Sequence, residues 1–203
     1  MSIDLNNYSF DEWLKFVFDH PVSEPAWYWD DTWKWEGDPH LLLKYATRLF
    51  SSSAFLPHEY SPEQLEQGFW FLLGGAGKLD YWVWAKEIDW SIRKACISSM
   101  VNVFEQLFVK NPLGETCYMW WDLLDEFRGE DDPDPRIRDA MLESLSRVLQ
   151  IESHNCQVSA LHGLGHLSHR DKKKVIEEFL RLHPNIDEKT EQYARAAIAG
   201  KVQ

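Results

Sequence analysis

The sequence predicts an all-α protein, a short right-handed α-solenoid of helix pairs with an irregular, tryptophan-rich segment near its N-terminus. Three observations carry this prediction. Helix-capping signatures stand before apolar runs at Ser9 and Ser61. From residue 89 onward, apolar residues recur at helical spacing with few interruptions. The same half contains an internal repeat with a period of 45 residues.

The first helix opens at Ser9-Phe10-Asp11-Glu12, where Ser9 and Glu12 can satisfy each other's backbone amides. It carries Trp13, Phe16 and Val17 on one face and runs to about His20, before Pro21 and Pro25 break it. Residues 25–39, "PAWYWDDTWKWEGDP", show no helical period. Trp27 and Trp29 alternate, as do Trp33 and Trp35, so a hairpin or extended arm is one reading, and an irregular segment held to the core by its rings is the favoured one. A second helix spans 38–52. A third spans 61–74, with proline at its first helical position and glycines at its end. The "GGAGKLD" that follows is no phosphate loop: position 72 is leucine where the motif needs glycine, and position 79 is leucine where it needs Ser or Thr.

Beyond residue 89, "SIRKACISSMVNVFEQLF" places Ile92, Ala95, Val103, Phe104 and Leu107 on one stripe. Helices are expected over "ETCYMWWDLLDEF", "RIRDAMLESLSRVLQI", "CQVSALHGLGHL", "DKKKVIEEFLRLHP" and "EQYARAAIAG", with a charged, proline-punctuated loop over 128–135. Shifted by 45 residues, "DWSIRKACISSM" falls on "DPRIRDAMLESL". Asp89 meets Asp134, Ile92-Arg93 meets Ile137-Arg138, Ala95 meets Ala140 and Ser99 meets Ser144. A small residue at the alanine position lets helices approach, and the arginine can reach an aspartate of the adjacent unit. Two helices per unit of this length fit a HEAT or armadillo array.

The "VSALHGLGHL" helix resembles that of phycobilisome-lyase-type HEAT repeats, and "YARAAIAG" resembles a truncated copy. Together, "SFDEWLKFVFDHPV", "PAWYWD", "CYMWWD" and "SALHGLGHL" resemble a group of uncharacterised bacterial HEAT-repeat-containing proteins across nearly the whole chain. The resemblance implies one unit without separable domains and a bacterial source. It implies no activity. Residues 1–88 are then the acidic, degenerate part of one α-helical repeat domain, and 89–200 its recognisable HEAT-like pairs: 90–127, 134–168 and 171–200.

Charge narrows the function classes. The net charge is −12, and residues 1–90 carry −9 of it together with nine of the eleven tryptophans. Such a surface repels a phosphate backbone, so nucleic acid is excluded as a direct partner, and with it the base-excision chemistry that some HEAT-like folds host. A basic protein or a cationic ligand fits better, although acidity alone also keeps a protein soluble. An antitoxin-like or immunity role against a basic protein is one version of this reading. Cys96, Cys117 and Cys156 lie in helical patterns without a CxxC and are expected as reduced, buried thiols. No secretory signal or membrane-spanning run is evident, which points to the cytoplasm.

Three groups of candidate residues follow. Trp27, Trp29 and Trp33 flank Asp30 and Asp31, and aromatic faces beside carboxylates hold cations; the competing reading buries the rings in the core. Trp120 and Trp121 are adjacent, so on a helix they point about 100° apart; one is expected in the core and the other between repeats or in a groove. Asp122, with Asp125 and Glu126, resembles a solvated acidic face. His162 and His166 have the i, i+4 spacing of two metal ligands on a helix, but Gly163 replaces the glutamate of the hydrolytic zinc motif. No third ligand is evident beyond Glu177, Glu178 or His183 of the next helix, and His169 falls in the turn. Because Gly163 and Gly165 fit a tight helix contact, the histidines are expected to serve packing, with no metal and no cofactor. Nucleophile elbows, Cys–His spacings and dinucleotide fingerprints are missing. The expected role is a non-enzymatic protein-interaction module, with metal binding or catalysis at His162 and His166, or a small cation at Trp27–Trp35, as alternatives.

Overall fold

A computed structural model describes residues 2–30, 34–74, 76–125 and 134–202. The chain is predominantly α-helical, as expected. Helix α1 (Phe10–Phe18) begins at the Ser9 capping box, with both reciprocal bonds made, and α4 (Pro62–Leu73) begins at the equivalent box of Ser61 and Gln64. Between them lie α2 (Pro39–Ser51), capped by the Asp38 carboxylate, and the single turn α3 (Leu56–Glu59). Lys78, in the left-handed region at φ 58, turns the chain from α4 into α5 (Leu79–Trp84).

The tryptophan-rich segment is neither a hairpin nor a free arm. Trp27–Trp29 is a 3-10 turn, and Lys34–Glu36 forms strand β2. β2 pairs in parallel with β1 (Ser2–Asp4) in the register Ser2–Lys34, Ile3–Trp35 and Asp4–Glu36. Of the two stretches that a hairpin would pair, Trp27–Trp29 is therefore a turn, and Lys34–Glu36 meets the start of the described chain instead.

Helix α6 (Trp90–Val103) continues into a π-helical turn, Phe104–Phe108. The expected stripe is buried at Val103, Phe104 and Leu107 but differs toward the start of the helix. Ala95 is exposed and Ile92 only half-buried, whereas Cys96, Ile97, Met100 and Val101 are buried. The reason is that α6 packs against α2 on one side and α9 (Pro135–Leu149) on the other, so its buried face is wider than one stripe. The "ETCYMWWDLLDEF" helix is interrupted: α7 (Thr116–Met119) and α8 (Asp122–Asp125) flank the two tryptophans. Glu126 and most of the charged loop, 126–133, lie outside the described residues.

The remaining helices are α10 (His154–His166), α11 (Lys172–Leu182) and α12 (Glu188–Ile198). Packing follows two series: α2 on α6, α6 on α9 and α9 on α11; then α4 on α7, α7 on α10 and α10 on α12. Between them lies an aromatic core in which Trp120 meets Phe50, Phe69, Phe104 and Phe108, with ring centroids 5.3–5.8 Å apart. Such edge and tilted contacts add to the area buried by each ring.

Arg93 reaches Asp134, 41 positions further along the chain. Arg93 is buried and donates to Asp134 Oδ2 (3.3 Å), to the Ile88 carbonyl (2.9 Å) and to the Val83 carbonyl (3.4 Å). Arg136 closes the other side of the Asp134 carboxylate at 2.8 Å. The Arg136 hydrogen bond, joined by the charges of Arg136 and Arg93, outweighs burial and holds the Asp134 carboxyl below the usual range. No helix among the described residues is long and apolar enough to cross a membrane.

Candidate functional site

Two places bring polar chemistry together. The first is a groove beside the tryptophan-rich turn. Residues 22–28 cross the start of α4 and the 111–114 turn, enclosing a cavity of about 500 Å³ lined by Val22, Tyr28, Leu113 and three glutamates, Glu24, Glu63 and Glu66. No Lys or Arg lines it among the described residues. Glu24 and Glu63 are exposed. Glu66 lies deeper, where its Oε1 accepts from Trp70 Nε1 (2.9 Å) and from the backbone amides of Glu115 (3.1 Å) and Thr116 (3.0 Å). These bonds fix the carboxylate, and its Oε2 is buried with no hydrogen-bond partner among the described residues. Burial, and then the Glu66 charge, push the Tyr28 phenol upward, so Tyr28 presents a neutral ring.

Within the same segment the rings divide. Trp27 is buried and stacks on His20, with centroids 3.8 Å apart at 14°. Trp29 is 64% exposed and meets the Tyr28 ring at a tilt, with centroids 5.5 Å apart. Asp30 is exposed. Asp31 and Trp33 lie outside the described residues. Trp27 thus serves the core, and among the described tryptophans of this segment Trp29 is the ring most open to a partner.

The second place joins α8, α10 and α12. Asp122, at the start of α8, is buried and not on a solvated face. Its Oδ2 lies 2.7 Å from His162 Nε2 and 3.5 Å from His166 Nε2. His162 is 2% exposed, while the His166 side chain is 46% exposed. One donor atom from each of the three residues falls within 4.8 Å of the others. On the far side of the His162 ring, Nδ1 lies 2.5 Å from the Tyr193 hydroxyl, which lies 2.6 Å from that of Tyr118. Burial, then Tyr118 and the Asp122 charge, push the Tyr193 phenol well above its usual range, so its hydroxyl keeps its proton.

This arrangement corrects the sequence reading in two respects. The residue that joins the histidines is Asp122, 40 positions upstream; Glu177 and Glu178 instead pair with Lys173 and Arg181, and His183 bonds to the Phe179 carbonyl. His169 does lie in the turn, against Asp139 at 2.9 Å. Trp120 and Trp121 are both fully buried, so neither presents a ring to a partner. Trp121 stacks on Phe104 and abuts Gly163, where an added Cβ would lie 2.6 Å from Trp121 Cβ. Gly165 meets Val202 in the same way. Both glycines are therefore close-approach positions. Tyr118 and Tyr193 were missed because nothing in their spacing relates them to His162.

Comparison with family models, with curated proteins and with solved structures gives no match.

Proposed function

We propose that the protein is a HEAT-like helical-repeat module that binds a basic protein, holding a Lys- or Arg-bearing segment in the groove between residues 22–28 and α4. The two packing series of helices support the repeat reading: each helix pair contacts the next, with Arg93 and Asp134 tying one pair to another. Stacked pairs expose extended surfaces suited to partners.

The observation that carries the function is the groove itself. It is roomy, it is lined by three carboxylates and, among the described residues, no cationic side chain, and it has an apolar floor of Val22, Leu113 and the Tyr28 ring. A lysine or arginine side chain matches that lining, with its aliphatic stem on the apolar atoms and its charge on the carboxylates. The exposed Trp29 ring beside it is of the type that anchors protein interfaces.

An oligoarginine peptide titrated while following tryptophan fluorescence tests the proposal. Binding is expected to weaken as salt rises from about 0.1 M to about 1 M, where the Debye length falls from ~10 Å to ~3 Å. The double reversal Glu24→Lys/Glu63→Lys is expected to cost about tenfold in affinity, given that each exposed pair is worth ~0.2–1 kcal/mol. The charge-matched reversal of two exposed acids elsewhere, Glu143→Lys/Glu152→Lys, is expected to cost much less. Equal losses in the two double variants would mean that the peptide senses net charge and not the groove. Free arginine binding as tightly as the peptide would point to a small-cation site in place of a protein interface.

A further inference from the structure

The α8–α10 cluster has features that binding a basic segment does not use. We propose that Asp122, His162 and His166 form a site for one divalent transition-metal ion, with the Tyr193–Tyr118 hydroxyl pair as its outer shell.

The donor set is two imidazole nitrogens and one carboxylate, a combination suited to zinc, iron(II), cobalt(II) or nickel(II). The three donor atoms already lie within 4.8 Å of one another. Tetrahedral coordination at ~2.0–2.1 Å per bond separates ligand atoms by about 3.3 Å. The His166–Asp122 separation of 3.5 Å is close to that value, and the His162–Asp122 separation of 2.7 Å needs to open by about 0.6 Å. Asp122 Oδ1 is buried with no hydrogen-bond partner among the described residues. A buried carboxylate oxygen left unpaired carries a desolvation cost that a cation removes. No Lys or Arg forms an ion pair with Asp122 among the described residues, so the imidazoles are its partners.

The hydroxyl pair supplies the step that metal binding needs. With Nε2–H of His162 donating to Asp122, Nδ1 accepts from Tyr193, and Tyr193 accepts from Tyr118. A metal on Nε2 requires that nitrogen to be unprotonated. The imidazole proton then sits on Nδ1 after exchange with solvent, and Nδ1–H donates to the Tyr193 oxygen. Tyr193 in turn donates to Tyr118. Each phenol keeps its own proton and only rotates, so the His162–Tyr193 and Tyr193–Tyr118 bonds are made in both states with their direction reversed. An outer-shell acceptor on the second ring nitrogen is the usual companion of a metal-bound histidine. His166, half-exposed, marks the route of entry and leaves the remaining coordination position toward solvent.

The test uses the full chain, stripped with a chelator and titrated with Zn(II) by calorimetry and with Co(II) by visible absorption. One equivalent is expected to bind, with the Co(II) spectrum of a low-coordinate N/O site. His166→Ala alters an exposed side chain and is expected to keep the wild-type circular dichroism while losing the one-equivalent phase. Tyr193→Phe removes only the outer shell and is expected to weaken binding about 10–100-fold. Absence of a one-equivalent phase in the wild-type protein, or its survival in folded His166→Ala, would overturn the proposal and leave the cluster as a packing network. Wild-type affinity in Tyr193→Phe would overturn the role given to the tyrosines.

Discussion

Replacing Gly163 by alanine sets two known effects of opposite sign against each other. Alanine in a helix interior is favoured over glycine by ~1 kcal/mol, so an open position is stabilised. At Gly163 the new Cβ would lie 2.6 Å from Trp121 Cβ and 2.9 Å from Leu145 Cδ2. Carbon atoms pack at about 3.5–4.0 Å, so the contact is short by roughly 1 Å. Leu145 can rotate away. Trp121 Cβ is fixed by its own backbone, and no rotamer change moves it; the α7–α8 segment has to shift as a body. Overpacking a buried site costs typically ~1–3 kcal/mol, and the upper end applies to an atom that cannot turn aside. The net expectation is a loss of about 2 kcal/mol, which for a chain of this size lowers the melting temperature by roughly 4–8 °C. Thermal unfolding followed by circular dichroism measures it. Gly165→Ala is the comparison: its Cβ meets the methyl ends of Val202, which lies in the irregular segment after α12 and can rotate, so its loss is expected to be smaller. An unchanged or raised melting temperature in Gly163→Ala would refute the close approach of α10 to Trp121.

Other predictions follow from the same packing. Asp134→Asn leaves the Arg93 guanidinium buried with only carbonyl partners, and breaking a buried pair from one side is expected to cost about 3–5 kcal/mol in chemical denaturation at pH 7. The Asp134 carboxyl is depressed on folding, so its contribution is fully present above the ordinary carboxylate range, near pH ~4, and is lost as pH falls through the folded value. Stability in the wild-type protein should therefore fall more steeply between about pH 5 and pH 2 than in Asp134→Asn, and parallel acid curves would contradict this. All three cysteines are free and buried, and burial pushes the Cys96 thiol up to about 12. Native protein should react with a thiol reagent only as fast as it opens, and rapid labelling of Cys96 at neutral pH would disagree with its placement. Ser159→Ala removes the hydroxyl that donates to the Cys117 carbonyl at 2.5 Å between α10 and α7, with an expected loss of about 1 kcal/mol in urea unfolding.

The sequence by itself determined what depends on near neighbours and on repetition. The boxes at Ser9 and Ser61 form because each needs only residues three apart. The Arg93–Asp134 contact was readable because the 45-residue shift aligns Asp89 and Arg93 with Asp134 and Arg138. The glycines of α10 announced a tight contact because little else favours glycine inside a helix. Burial of the flanking helices decided what spacing could not. The contacts with α2 and α9 decide which face of α6 is buried, and Ala95 lies outside that face. Trp120 and Trp121 are both buried because protein meets each ring on its own side, Phe50, Phe69 and Phe108 around Trp120 and Phe104 and Gly163 against Trp121. From α8 Asp122 meets one ring nitrogen of His162, while α12 delivers Tyr193 to the other. Neither partner is within 30 residues of His162 in the chain. A polar site assembled from three helices has no sequence period, and only their packing brings its atoms within bonding distance.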